Sequence, residues 1–137
     1  MAREPGVRFA GYAAVFDRVD NGGDVVRRGA FLRSLARNGP VPLLWQHKTG
    51  SVIGSIEKIV EDGRGLRVIG RVGAGDRGQW VASMVKGKAI DGLSFGYRVR
   101  RSARHDGVRE LTDLDLVEVS VVANPMQPLA RVHAVEG

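Results

Sequence analysis

The chain has no cysteine. Disulfides, thiolate metal sites and cysteine nucleophiles are thereby excluded. Aromatic residues make up only 6% of the total, which leaves little material for stacking bases and disfavours a nucleic-acid surface. Only three histidines occur, widely spaced at His47, His105 and His133, and this argues against a clustered metal site. No glycine loop precedes Lys-Ser or Lys-Thr, and no Gly-x-Gly-x-x-Gly is found, so the common nucleotide cradles are missing. No apolar run approaches the ~20 residues of a membrane-spanning helix. The opening Met1-Ala2-Arg3-Glu4-Pro5 has no apolar signal-peptide core. Together with the lack of cysteine, this predicts a cytoplasmic protein that needs no cofactor and no membrane.

The 137 residues, 43% hydrophobic and 26% charged, suit one soluble domain with a real core, taken as 1–137. Net charge is +6, so nucleic-acid binding must be considered. The basic residues are scattered, with local density only at Arg98-Val99-Arg100-Arg101 and Arg104. That cluster reads as a solvated strand end or as a docking patch for an acidic partner.

Turn signals punctuate the chain at Asn21-Gly22, Asp62-Gly63, Asp91-Gly92 and Asp106-Gly107. Strands are expected over residues 7–16, 43–47, 51–60, 66–72, 93–101, 108–122 and 129–135, with hairpins at 61–65 and at Asp106-Gly107. Helices are expected over 30–37, with Phe31, Leu32 and Leu35 on one face and a cap at Asn38-Gly39, and over 76–86. The second opens with Asp76 and Gln79 in capping-box spacing and carries Trp80, Val81, Met84 and Val85 as its apolar stripe. The fold class is mainly β with flanking helices (α+β), a mostly antiparallel sheet or small barrel.

Three polar residues stand in apolar, strand-like runs where a core needs none. His47 closes Leu43-Leu44-Trp45-Gln46-His47, Ser94 sits in Gly92-Leu93-Ser94-Phe95-Gly96-Tyr97, and Glu118 in Leu116-Val117-Glu118-Val119-Ser120. A base, a hydroxyl and a carboxylate are the parts of acyl-transfer chemistry by a serine hydrolase. Each has a plainer reading. Ser94 could face solvent on an edge strand; its Gly-x-Ser-x-Gly pattern lacks the strand–turn–helix of a nucleophile elbow. The flanking glycines would clear space for a substrate backbone. His47, on the strand with Leu43 and Trp45, could be a satisfied boundary histidine. Glu118 looks buried on both sides and needs a partner, either a buried arginine or an imidazole Nδ1. His133 stays an alternative third member. Ser94 and His47 are expected on neighbouring strands, within or just beyond hydrogen-bond reach.

These residues carry a resemblance that extends along nearly the whole chain. It takes in Phe9-Ala10-Gly11-Tyr12-Ala13-Ala14-Val15-Phe16-Asp17, Gly23-Asp24-Val25-Val26, Gly29-Ala30-Phe31, Ile53-Gly54, Gly65-Leu66 and Asn124-Pro125, besides the three runs above. The chain resembles the prohead (capsid maturation) proteases of tailed phages and gene transfer agents and, more distantly, the herpesvirus assemblin proteases. The resemblance implies a serine endopeptidase on a closed, mostly antiparallel β-barrel. Its substrate would be the scaffold portion of a major capsid protein, cut inside the assembling procapsid. By motif, Ser94 would be the nucleophile, His47 the base and Glu118 the third member. A non-catalytic scaffold-binding factor with the same fold, and a basic nucleic-acid-binding β-domain, remain as alternatives; a homo-oligomer stays open.

Overall fold

A computed structural model describes residues 6–37 and 39–137; Met1–Pro5 and half of the cap expected at Asn38-Gly39 lie outside them. The elements run β1 (Val7–Val15), β2 (Asp24–Val26), α1 (Leu32–Ala36), β3 (Leu43–Trp45), β4 (Val52–Glu61), β5 (Gly65–Val72), α2 (Gly75–Lys86), β6 (Gly92–His105), β7 (Val108–Val122) and β8 (Val132–Glu136). The architecture is mainly β with few helices, as the turn-punctuated alternation predicts. Both hairpins form, β4–β5 and β6–β7.

All eight strands belong to one sheet. β7 is its centre of organisation. On one side it pairs antiparallel with β6 along nearly its whole length. On the other it pairs parallel with β2 along its first half and with β3 along its second. From β3 the sheet continues through β4, β5 and β1 to β8, each pair antiparallel. The expected closed barrel is not formed. β8 ladders with β1, and only the isolated bridge Gly92–Arg131 reaches from the chain just before β8 to the start of β6. No further pairing of β6 with β8 is found among the described residues.

One apolar cluster lies inside the curve of this sheet. Leu43, Leu93, Val119 and Val121 are fully buried in it and lock β3, β7 and β6 together. Residues excluded from water on this scale contribute roughly 1.5–3 kcal/mol each for large aliphatic side chains.

The helices differ in detail from expectation. α1 is one short turn; Phe31 precedes it and is fully buried, whereas Leu32 is 58% exposed and not a core residue. In α2 the N-cap is Ala74 and no side chain caps it, so the capping box does not form. Val81 and Val85 are buried, but Trp80 stays partly exposed, edge-on to Trp45 and under the Arg77 guanidinium. β2, too short for periodicity to show, was not expected.

Candidate active site

The register of β6 on β7 sets the site. Ser94 pairs with Ser120 and Gly96 with Glu118 in an unbroken stretch of ladder. Directly opposed residues of adjacent strands project to the same face, with Cβ atoms ~5 Å apart. Ser94, Glu118 and Ser120 therefore share one side, and Val119 and Val121 fill the core on the other. Immediately before, a bulge at Val117, opposite the Gly96–Tyr97 step, breaks the alternation and leaves Val117 exposed.

His47 reaches this face by a different route from the one expected. β3 ends at Trp45, and Lys48 N–H bonds back to the Trp45 carbonyl at 3.0 Å. The two residues between, Gln46 and His47, have φ of 52° and 60°. This is the double positive φ of a type I′ turn, in which side-chain-bearing residues are strained by about 1–2 kcal/mol each. His47 is thus not a strand residue sharing a face with Leu43 and Trp45. Nor are Ser94 and His47 on neighbouring strands: β7 lies between β3 and β6. Side-chain bonds over-determine the strained turn, as strained functional backbone requires. Gln46 Oε1 accepts from Ala123 N–H at 2.8 Å, and His47 N–H donates to Ser120 Oγ at 3.0 Å.

The imidazole then meets the carboxylate. His47 Nδ1 lies 2.5 Å from Glu118 Oε1, and Ser120 Oγ–H donates to Glu118 Oε2 at 2.6 Å. Glu118 is 6% exposed and Ser120 fully buried. An ionised carboxylate can only accept, so Nδ1 carries the proton and Nε2 of the neutral ring is the free base. The hydrogen bond and charge of Glu118 raise the His47 pKa above its ordinary value, against a burial that would lower it. Of the two partners that sequence leaves open for Glu118, the imidazole is the one it has; no arginine pairs with it among the described residues.

The glycines of Gly92-Leu93-Ser94-Phe95-Gly96 make room for neighbouring protein atoms. A Cβ on Gly96 would lie 2.4 Å from Glu118 Oε1, and one on Gly92 2.6 Å from the Val122 carbonyl. Gly96 is where the carboxylate rests.

His47 and Ser94 border the same cavity, of about 170 Å³, together with Asp20, Phe95, Tyr97 and Met126. No hydrogen bond joins the Ser94 hydroxyl to His47 among the described residues. Behind the wall, Arg109 forks onto Asp24 at 3.0 and 2.7 Å. Burial, ahead of the Asp24 charge, raises the Tyr97 phenol's pKa. His133 lies elsewhere, on β8, its ring 5.7 Å from that of Tyr12 and beside a different cavity with Lys86 and Lys88. Asp113 and Asp115 are taken up by Arg33. No group of acidic and histidine side chains is arranged to hold a metal among the described residues, and no helix is long and apolar enough to cross a membrane.

Sequence reasoning passed over Ser120. Its signal was present: a second polar residue two positions after Glu118, hence on the same face, in a run of valines.

A model of the caudovirus prohead serine protease family matches residues 1–137, the whole chain. The chain belongs to that family. The prohead protease of Enterobacteria phage HK97 is 35% identical over 97 residues, which cover 68% of this chain and 43% of that protein. The chain thus spans less than half the length of the curated relative it matches. Among solved structures, the bacteriophage T4 capsid assembly protease superposes with a TM-score of 0.75 at 16% identity, covering 91% of this chain and 87% of that one. KSHV protease superposes with a TM-score of 0.54 at 14% identity, covering 96% and 61%. At such identities these two likenesses speak for the fold. They place this prohead-protease-family chain in the architecture shared with a herpesviral protease, as the resemblance implies.

The buried hydroxyl leads to a prediction. Ser120→Ala leaves Glu118 Oε2 and the His47 N–H without their partner. Activity should fall by about 10–100-fold in kcat with little change in KM, since the loss falls on orientation and not on substrate contacts. Ser120→Thr, which keeps the hydroxyl, should recover most of it. An Ala variant with wild-type kcat would show that the hydroxyl only fills space.

Proposed function

We propose that residues 1–137 form a single serine endopeptidase domain that cleaves the scaffold portion of a phage-type major capsid protein within the assembling procapsid. The observation that carries this reading is the chain Ser120–Glu118–His47 opening on the cavity that Ser94 borders. Ser94 Oγ attacks the scissile carbonyl carbon. His47 Nε2 takes the hydroxyl proton and later gives it to the leaving amine. Glu118 holds the tautomer and stabilises the imidazolium. Water then enters by the same base-assisted route and releases the acyl group. The resting Ser94–His47 contact tightens when substrate excludes water, as happens in many free enzymes.

Family membership supports the reaction, and the HK97 relative's name, a prohead protease, supports the setting. The missing Ser94–His47 hydrogen bond favours a second reading, a non-catalytic assembly factor retaining the fold. Labelling with a fluorophosphonate, followed by mass, separates the two. One adduct on Ser94 is expected. Its rate should fall as pH drops through the raised His47 pKa, because only the neutral ring is a base. Stability should move oppositely. The imidazolium–Glu118 pair contributes fully below the unfolded histidine's pKa of about 6.5, and that contribution disappears as pH rises through the folded value. No adduct at any pH would leave the assembly-factor reading standing.

A further inference from the structure

A second concave surface lies on the same β6–β7 ribbon, past the Glu118–Gly96 pair. It is a cavity of about 370 Å³ between the segment that follows α1 and the exposed half of the ribbon. Leu35, Val41 and Ile59 give it an aliphatic lining, and Arg37, Arg98 and Arg100 line it with charge. Asp115, the acidic residue lining it, is already spent. Arg33 at 2.6 Å, Arg100 at 2.5 Å and Arg37 at 3.9 Å surround its carboxylate. The Arg33 and Arg100 hydrogen bonds hold its pKa down to about 2, so it remains ionised and neutralised. Arg33 also binds Asp113. Four guanidinium groups thus face two carboxylates, and Arg98 has no partner among the described residues.

The strand supplying Arg98 and Arg100 is exposed from Arg98 to His105, and β7 is its one ladder partner in the sheet. Exposed arginines with an excess of positive charge over aliphatic side chains make a complementary surface for a segment mixing acidic and apolar residues. Nucleic acid fits less well: among the described residues no aromatic ring lines this cavity to stack a base. Arg98 is four positions along β6 from Ser94, an advance of about 13 Å for a strand. One polypeptide can therefore occupy both places.

We propose that this arginine-lined groove docks an acidic, partly apolar stretch of the substrate polypeptide while another part of the same chain lies at Ser94. The substrate role rests on the protease reading; the docking itself does not. Binding adds affinity at a distance from the reacting bond, so it lowers KM and leaves the chemistry at Ser94 unaltered.

The test uses a short fluorescein-labelled peptide alternating Glu with Leu, a counterpart with Lys in place of Glu, and a single-stranded oligonucleotide. Anisotropy is measured on the wild-type chain and on Arg98→Glu, Arg98→Ala and Arg37→Glu. Both positions are exposed, and folding is checked by melting temperature. The Glu-Leu peptide should bind, the Lys peptide should not, and added salt should weaken the complex. Arg98→Glu and Arg37→Glu should each weaken it about tenfold, with Arg98→Ala intermediate. The rate of fluorophosphonate labelling at Ser94 should be the same in all four proteins. Absent binding, binding indifferent to these substitutions, or oligonucleotide binding that depends on the same arginines would overturn the proposal. Peptide binding without any label on Ser94 would instead remove the protease reading, and the groove's substrate role with it.

Discussion

On the proposed reading, Ser94→Ala is expected to abolish capsid-protein cleavage and fluorophosphonate labelling while leaving the melting temperature almost where it was. The two halves of this expectation have separate causes. The Ser94 hydroxyl has no hydrogen-bond partner among the described residues, so its removal orphans no buried group. Its backbone stays in register with Ser120, and the neighbouring Leu93 keeps its buried place. In the proposed mechanism no other group replaces the nucleophile. In a triad that works as a unit, loss of the nucleophile costs about 10⁶ in kcat, judged from serine proteases. The decisive measurement is cleavage per folded molecule, with the mass of the labelled protein alongside. Substantial cleavage by the purified Ala variant, or an adduct on another residue, would remove Ser94 from its role.

If Glu118 is the third member as proposed, Glu118→Gln should produce the next largest loss, about 10⁴-fold in kcat by analogy with serine-protease triads whose carboxylate became an amide. Glu118 now accepts from His47 Nδ1 at one oxygen and from Ser120 Oγ at the other. An amide has one acceptor oxygen and one donor nitrogen. If its oxygen stays with Ser120, its NH₂ faces Nδ1 and forces the proton onto Nε2, the wrong tautomer for a base. If its oxygen faces Nδ1–H instead, its NH₂ opposes the Ser120 hydroxyl, which must rotate and give up its acceptor. The charge that stabilises the imidazolium is lost either way. Stability should drop by only about 1 kcal/mol, the scale of one neutral hydrogen bond. No buried cation is left stranded, which is why the 3–5 kcal/mol loss of a broken buried ion pair is not expected. The raised His47 pKa should also relax towards its ordinary value, visible in a titration of the ring. A variant that is destabilised yet fully active would take Glu118 out of the triad.

The two losses differ in what they tell. The serine variant tests which atom forms the bond; the glutamine variant tests the arrangement that makes the base a base. Ser120→Ala tests a weaker link in the same arrangement.

Much of this was legible in residues. The Asp106-Gly107 turn marked the β6–β7 hairpin and the apolar run 108–122 a strand, but the bulge at Val117 puts Leu116 on the face opposite Glu118, against simple alternation, and Asp91-Gly92 opens β6 instead of making a turn. Glu118 announced itself because a carboxylate among valines needs a partner. The partner's identity was not legible. His47 looks like the last residue of a strand, since Leu-Leu-Trp-Gln carries no glycine or asparagine to signal a turn with two positive φ values. Local propensity lost there to the bonds from Ser120 and Gln46, which come from contacts 73 and 77 residues apart. Sheet closure was likewise invisible, because whether β8 zips to β6 depends on the sheet's curvature and not on either strand's pattern.

The sequence by itself determined the mainly β build, the two hairpins and the exclusion of thiolate chemistry, for these follow from residue type and short-range period. Only the tertiary structure decided that β7 separates β3 from β6, that Gly96 is vacant for a carboxylate, that Ser120 joins His47 to Glu118, and that arginines far apart in the chain line one groove. Each of those is a contact between distant segments. Its free energy depends on register and curvature summed over the whole sheet, and no window of neighbouring residues contains that sum.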